Sequence, residues 1–237
     1  MKISRLLLVS LVAVFALGAL MASSAFALPE ILSSGGVTEF TGKSVGETNL
    51  HVVRSSTKVS CRSATAEGSV EANNHLGLFH IDFKTCSARL GETSLGTCTG
   101  LSEESGVILS LGSWHLVWDS LSTGAGLKVA ILFLVASVHF SCRPVIGSEK
   151  LFVVSSGGMV LCLIQNPAAL TKVFEFQCNE TRAGGPEDTK YYNESGTLVN
   201  ISPLMTTENE NGRPEESIQR GSGTVEYRGT ETVLLMF

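Results

Sequence analysis

Charge is scarce in this sequence: only 16% of its 237 residues are Asp, Glu, Lys or Arg, and their balance is −5. With 43% hydrophobic residues, that poverty excludes a disordered chain, which needs low hydrophobicity and many charges. The missing basic excess argues against a nucleic-acid partner. Aromatics are also few, at 7%, and proline occurs 6 times. No apolar run reaches the roughly 20 residues of a transmembrane helix. No stretch keeps a 3.6-residue period between helix caps. No two cysteines have the two-to-four-residue gap of a zinc knuckle.

The N-terminus reads as a leader. Lys2 and Arg5 precede an apolar run from Leu6 to Leu20, broken only by Ser10 and Gly18. Ala25-Phe26-Ala27 then places small residues at the −3 and −1 positions of a signal-peptidase site. Residues 1–27 are therefore expected to be a cleaved signal peptide, in preference to an uncleaved anchor. Leu28 stands where a lipoprotein would need cysteine, and no apolar stop-transfer helix closes the C-terminus. The remainder, 28–237, is long enough to bury roughly 70% of its unfolded surface. A soft boundary near 146–148 suggests subregions 28–147 and 148–237.

Six cysteines on an exported chain read as a disulfide framework. They are Cys61, Cys86, Cys98, Cys142, Cys162 and Cys178. Six allow about 15 connectivities. Local patterns favour Cys86–Cys98 closing a short loop, Cys162–Cys178 closing a hairpin and Cys61–Cys142 bridging the core. Each bridge is expected to stabilise by about 3 to 4.5 kcal/mol in the chain-entropy account.

What fills the sequence is period-two alternation. Phe79, Ile81 and Phe83 face one way, and His80, Asp82 and Lys84 the other. Trp114, Leu116 and Trp118 share a face, as do Phe174, Phe176 and Cys178. Further strands are expected at Leu50–Arg54, Gly106–Leu111, Lys150–Val154, Met159–Ile164, Thr197–Ile201, Gly223–Tyr227 and Thr232–Phe237. The apolar tract Val129–Phe140 reads as one long buried strand, or two with a tight bend near Ala136-Ser137. A hairpin turns at Asn193 to Gly196. Asn166–Leu170 suits one helical turn, with Asn166 as cap and Pro167 after it. Ala183–Asp188 and Thr206–Ser217 read as exposed polar loops. The expected fold is all-β: an antiparallel sandwich or barrel-like sheets.

The order of these features is familiar. Thr57-Lys58-Val59-Ser60-Cys61 precedes Glu67-Gly68. A strand ending Asp82-Phe83-Lys84-Thr85-Cys86 follows, then Cys98-Thr99, Phe140-Ser141-Cys142 and Leu161-Cys162-Leu163-Ile164. Lys190-Tyr191-Tyr192-Asn193 leads to a last run at Glu231–Leu235. Over roughly residues 37 to 237 this resembles a large set of secreted, β-rich, uncharacterised proteins of soil actinobacteria. The resemblance implies compartment and fold class, and no site. Leu127–Val135 is more apolar than that set suggests.

Candidate chemistry is thin. Gly42-Lys43-Ser44 lacks the upstream glycine of a phosphate loop, since Val37 holds its place. Ser55-Ser56-Thr57-Lys58 matches Ser-x-x-Lys, but Lys58 enters a strand where that chemistry needs a helix. His51, His75, His80, His115 and His139 have no Gly-x-Ser-x-Gly elbow to serve. His80 and Asp82 could pair on one face, yet two ligands do not make a metal site. Glu103-Glu104, Glu187-Asp188 and Glu215-Glu216 sit in loops, where solvation is expected in place of a glycosidase cleft. Asn179, Asn193 and Asn200 begin glycosylation-type triplets. Phe237 ends the chain as in outer-membrane barrels, but the strands are short and aromatic girdles are missing.

The residues therefore point to no catalytic set, no cofactor and no metal. The expected function is an exported, non-enzymatic β-rich protein of the cell exterior, structural or interactive. One alternative is a carbohydrate- or cell-wall-binding module using Trp114, Trp118, Tyr191 and Tyr192, with envelope or glycan contact. Another is an extracellular hydrolase assembled from distant strands. The partner itself is not readable.

Overall fold

The computed structural model describes residues 28–33, 39–71, 75–101, 103–120, 128–144, 147–165, 172–178, 190–207, 212–228 and 232–235. The expected leader, the Asn166–Leu170 turn, the Ala183–Asp188 loop and Phe237 lie outside them. The described residues form strands joined by turns and bends, with no helix. Among them, no helix is long and apolar enough to cross a membrane.

The strands are the staves of one barrel. The first stave is β2 (Glu39–Ser44) followed by β3 (Thr48–Val52); the second is β4 (Thr57–Ser69) and the third β5 (Leu76–Leu90). The fourth joins β6 (Thr93–Gly100) and β7 (Ile108–Asp119), and the fifth β8 (Lys128–Val135) and β9 (Val138–Arg143). The sixth joins β10 (Lys150–Val154) and β11 (Gly158–Ile164). The seventh combines β12 (Val173–Cys178) with β15 (Leu204–Thr207), and the eighth is β16 (Glu215–Arg228). Each pairs antiparallel with the next, and β16 pairs back onto β2 and β3. The ring closes, so these staves leave no open edge. Of the two architectures expected, the barrel is the one formed. The stretch around 146–148 lies between β9 and β10, which pair from Lys150↔Cys142 to Val154↔Val138.

Alternation assigns the two faces. On β5, Phe79 is buried while His80 and Lys84 are exposed; on β12, Phe174 is buried and Glu175 exposed. Apolar side chains point into the lumen and charged ones outward on these strands, the reverse of a lipid-facing wall. The phase slips where the backbone leaves the extended conformation. Thr85 has φ 55°, and beyond it Cys86 and Ala88 take over the inward places. The bend expected at Ala136-Ser137 is such a break: Val129 and Ile131 face in before it, Val138 and Phe140 after it.

Several strand glycines let rings cross the wall closely. A Cβ on Gly68 would lie 2.2 Å from Phe40, and one on Gly112 2.7 Å from Phe79. Between β12 and β15 the chain leaves the ring. There β13 (Lys190–Tyr192) and β14 (Leu198–Asn200) form the expected hairpin, which joins β7 at Trp118–Asp119. Ile201 then packs over the outer apolar face of Val117, Ala130, Leu132 and Leu161. Outside the ring, β1 (Glu30–Ser33) pairs with β17 (Thr232–Leu235), and Ile31 is buried among the lumen aromatics.

Two loop expectations need correction. Thr206 and Ser217 are each only 1% exposed, because they are wall residues of β15 and β16. Glu215-Glu216 likewise begins β16 and is not a loop pair. The hydroxyls and charges suggested turn chemistry, whereas closing the ring required strands there.

The disulfide map also differs from expectation. The bridges are Cys61–Cys86, Cys98–Cys142 and Cys162–Cys178; only the last was expected. Cys61 faces Cys86 across β4 and β5, and Cys98 faces Cys142 across β6 and β9. The β5–β6 ladder ends at Ser87↔Thr97, so Cys86 and Cys98 lie on adjacent staves just past it, where the Cys86 N–H donates to the Gly106 carbonyl. These four cysteines therefore lie in a row of two facing couples on four successive staves. Adjacent strands are about 4.8 Å apart, so Cys61 and Cys142, at the ends of the row, are beyond the roughly 7 Å reach of a bridge. Cys86–Cys98 would strand both. The observed bridges join the second and third, fourth and fifth, and sixth and seventh staves.

Candidate functional site

The polar candidates do not converge. His80 Nε2 and Asp82 Oδ1 are 2.9 Å apart on the exposed outer face of β5. Ser137 Oγ and His139 Nε2 form another outer pair at 3.1 Å. His75 Nε2 lies 3.5 Å from Glu194 at the barrel end. Burial lowers the pKa of His51 and His115; the positive charges of Arg220 and Lys58 push His51 the same way. Among the described residues, no group of three or more His, Cys, Asp or Glu is placed to hold a metal ion.

Other motifs resolve into wall and turn. Gly42-Lys43-Ser44 belongs to β2, and Lys58 to β4. Glu103 and Glu104 lie in the connection from β6 to β7, while Glu187-Asp188 and Asn179 fall outside the described residues. Asn193 Oδ1 accepts hydrogen bonds from the Ser195 and Thr197 N–H groups, which shapes the hairpin turn. Asn200 is exposed at the end of β14.

Trp114 and Trp118 are only 2% and 4% exposed. They cannot serve as a sugar-stacking platform, and that expectation is withdrawn. The Trp114 Nε1–H donates to the Ser69 carbonyl, so the ring is anchored as core. Tyr191 and Tyr192 are half-buried on β13.

Among the described residues, the lumen itself is concave. Between its two packed clusters lies a cavity of about 150 Å³. Ala64 and Ala66 line it from the second stave, with Phe83 beside them on the third and Phe133 and Phe176 on the fifth and seventh. Ile81, Phe83, Phe133, Val135 and Phe176 belong to this inner wall yet are only partly buried, because nothing fills the space beside them. The polar side chains on it are few. Thr48 and Ser110 are buried there, Ser44 and Gln219 also line it, and Thr48 Oγ1 and Arg220 Nε are buried without a hydrogen-bond partner. Lys43 and Arg220 reach the same wall, but alternation with Gly42 and Gly221 turns both side chains outward. Sequence alternation marked Phe79, Ile81 and Phe83 as an apolar face. It carried no sign that Ala64 and Ala66 would stand across from them.

No family model, curated protein or solved structure matches the chain.

Proposed function

We propose that the chain is exported, processed after Ala27, and acts at the cell exterior as a non-enzymatic binding module. The observation that carries this reading is the sulfur chemistry: all six cysteines are joined in three bridges inside one barrel. Such bridges persist in oxidising compartments and are reduced in the cytosol. The residues of the leader, and the resemblance to secreted β-rich proteins of soil actinobacteria, support the same compartment. A closed barrel with an unfilled interior supports binding as its role.

The test is intact-mass analysis of the protein from a Gram-positive host expressing the full chain. The expected result is a species in the medium that begins at Leu28 and has two hydrogens fewer per bridge. Recovery of the unprocessed chain in the cells, with titratable thiols, would overturn the reading.

A further inference from the structure

Barrels of eight staves are just wide enough for side chains to fill, or to hold one small ligand. This one is filled at both ends and empty between them. One end packs Trp114, Trp118 and Tyr227; the other packs Phe140, Phe152 and the cysteines. Interiors normally close-pack and keep few voids larger than water. A 150 Å³ gap walled by large, partly buried apolar side chains departs from that rule. Ala64 and Ala66 help create it. They face Phe83 and Ile81 across the β4–β5 ladder, where longer side chains would extend into the space.

We propose that this cavity is a binding site for a compact, uncharged, hydrocarbon-like molecule, aromatic or alicyclic, of about six to ten non-hydrogen atoms. The inference rests on the binding role above and names its ligand class. Size follows from the volume, since an apolar cavity of about 150 Å³ accepts a molecule the size of benzene. Neutrality follows from the wall. The wall is almost wholly apolar, Lys43 lies exposed on the outer face, and Arg220, set outward opposite Asn49, leaves only a buried Nε near it, so a bound ion would give up its hydration with little to replace it. Thr48 Oγ1 allows one polar atom on the ligand. It is a buried hydroxyl without a partner, and a ligand hydroxyl or carbonyl would satisfy it.

The test uses the oxidised protein with toluene, cyclohexane, cyclohexanol, sodium octanoate and glucose as probes, read by thermal melting and saturation-transfer NMR. It can be run on refolded, air-oxidised protein, so a failure of export and a failure of binding are distinguishable. Toluene and cyclohexanol at a hundredfold excess over Kd should raise the melting temperature by about 5 °C. Octanoate and glucose should leave it unchanged. Ala66→Phe fills the space and should abolish the response while melting no lower than the wild type without ligand. Should that variant melt lower, Ala64→Val is the milder filling, and a weakened response is expected from it. Thr48→Val should erase the preference for cyclohexanol over cyclohexane. Three outcomes would overturn the proposal: no response to either neutral probe, an equal response in the filled variants, or tighter binding of octanoate.

Discussion

The two clusters that fill the barrel solve one packing problem with different materials. One holds all six cysteines among Val, Leu, Ala and Ile, with Phe140 and Phe152 stacked at 5.1 Å. The other holds no cysteine. It is built from rings set edge to face: Phe40 on Trp114 at 5.9 Å, and Phe174 on Tyr227 at 5.6 Å. Each aromatic side chain buries about 150–250 Å², and ring pairs add roughly 0.5–1.5 kcal/mol beyond area. Smaller side chains bury less, and cross-links compensate there by restricting the unfolded chain. Phe133 joins the two regions, 5.2 Å from Phe79 and 6.2 Å from Phe176, beside the cavity. Sulfur and rings are thus alternative ways of holding neighbouring staves together.

Cutting the sulfur should have the largest effect. Removing Cys98–Cys142 by paired alanines should cost about 4 kcal/mol, and removing Cys162–Cys178 about 3 kcal/mol, in line with separations of 44 and 16 residues. Urea denaturation followed by tryptophan emission checks this. Both tryptophans sit in the other cluster, so the same experiment shows whether the ring-packed end survives the loss. One cooperative transition is expected, because β4, β5 and β16 run through both ends. A sharper break uses the cysteine row. Cys61→Ala with Cys142→Ala leaves Cys86 and Cys98 as neighbours, which should pair and leave no free thiol. Cys86→Ala with Cys98→Ala should leave two free thiols by titration, because Cys61 and Cys142 cannot meet.

That row marks where the sequence ceased to be legible. The all-β class followed from alternation alone, and the break in Val129–Phe140 followed from Ala136-Ser137 interrupting a β-branched run. For that tract the sequence left one long strand open beside two with a bend, and the structure has the two; both readings rest on local facts. Disulfide pairing is a fact about register between staves distant in sequence. Cys86 and Cys98 lie close along the chain and on adjacent staves, yet each bonds to the stave on its other side. Burial of Trp114 and Trp118 was readable from the Leu116 between them, and it decided against a stacking surface. The cavity was not readable, because a void depends on which small residues face which large ones across a closed wall.

The ring-packed end can be weakened more gently. Trp114→Phe keeps most of the apolar area but removes the Nε1–H donor. The Ser69 carbonyl is then left with one partner fewer and a small void opens beside it. A loss of about 1–3 kcal/mol in urea is expected. The bridges should remain oxidised, because their geometry is set by strand register and not by this ring. Thiols appearing in Trp114→Phe would mean that the two clusters are coupled more tightly than their separate contacts suggest.

Acid should produce the smallest effect, and one histidine reports from each end. His51 lies on β3, paired with Lys58 near the sulfur cluster; His115 lies on β7, between Trp114 and Leu116. Burial lowers both below the ordinary value of 6.5. For His115, the Glu194 carboxylate works against that shift. The unfolded chain therefore takes up protons first as pH falls. The stability tied to neutral imidazole is intact above pH 6.5 and declines below it, toward each folded-state pKa. Urea midpoints should fall between pH 7.5 and 5.5, and His51→Gln and His115→Gln should each flatten part of that fall. If His115→Gln alone removes it, acid loosens the aromatic end first. If His51→Gln alone removes it, the cross-linked end is the weaker one in acid, because its bridges constrain the unfolded chain without relieving the burial of an imidazolium beside Arg220 and Lys58.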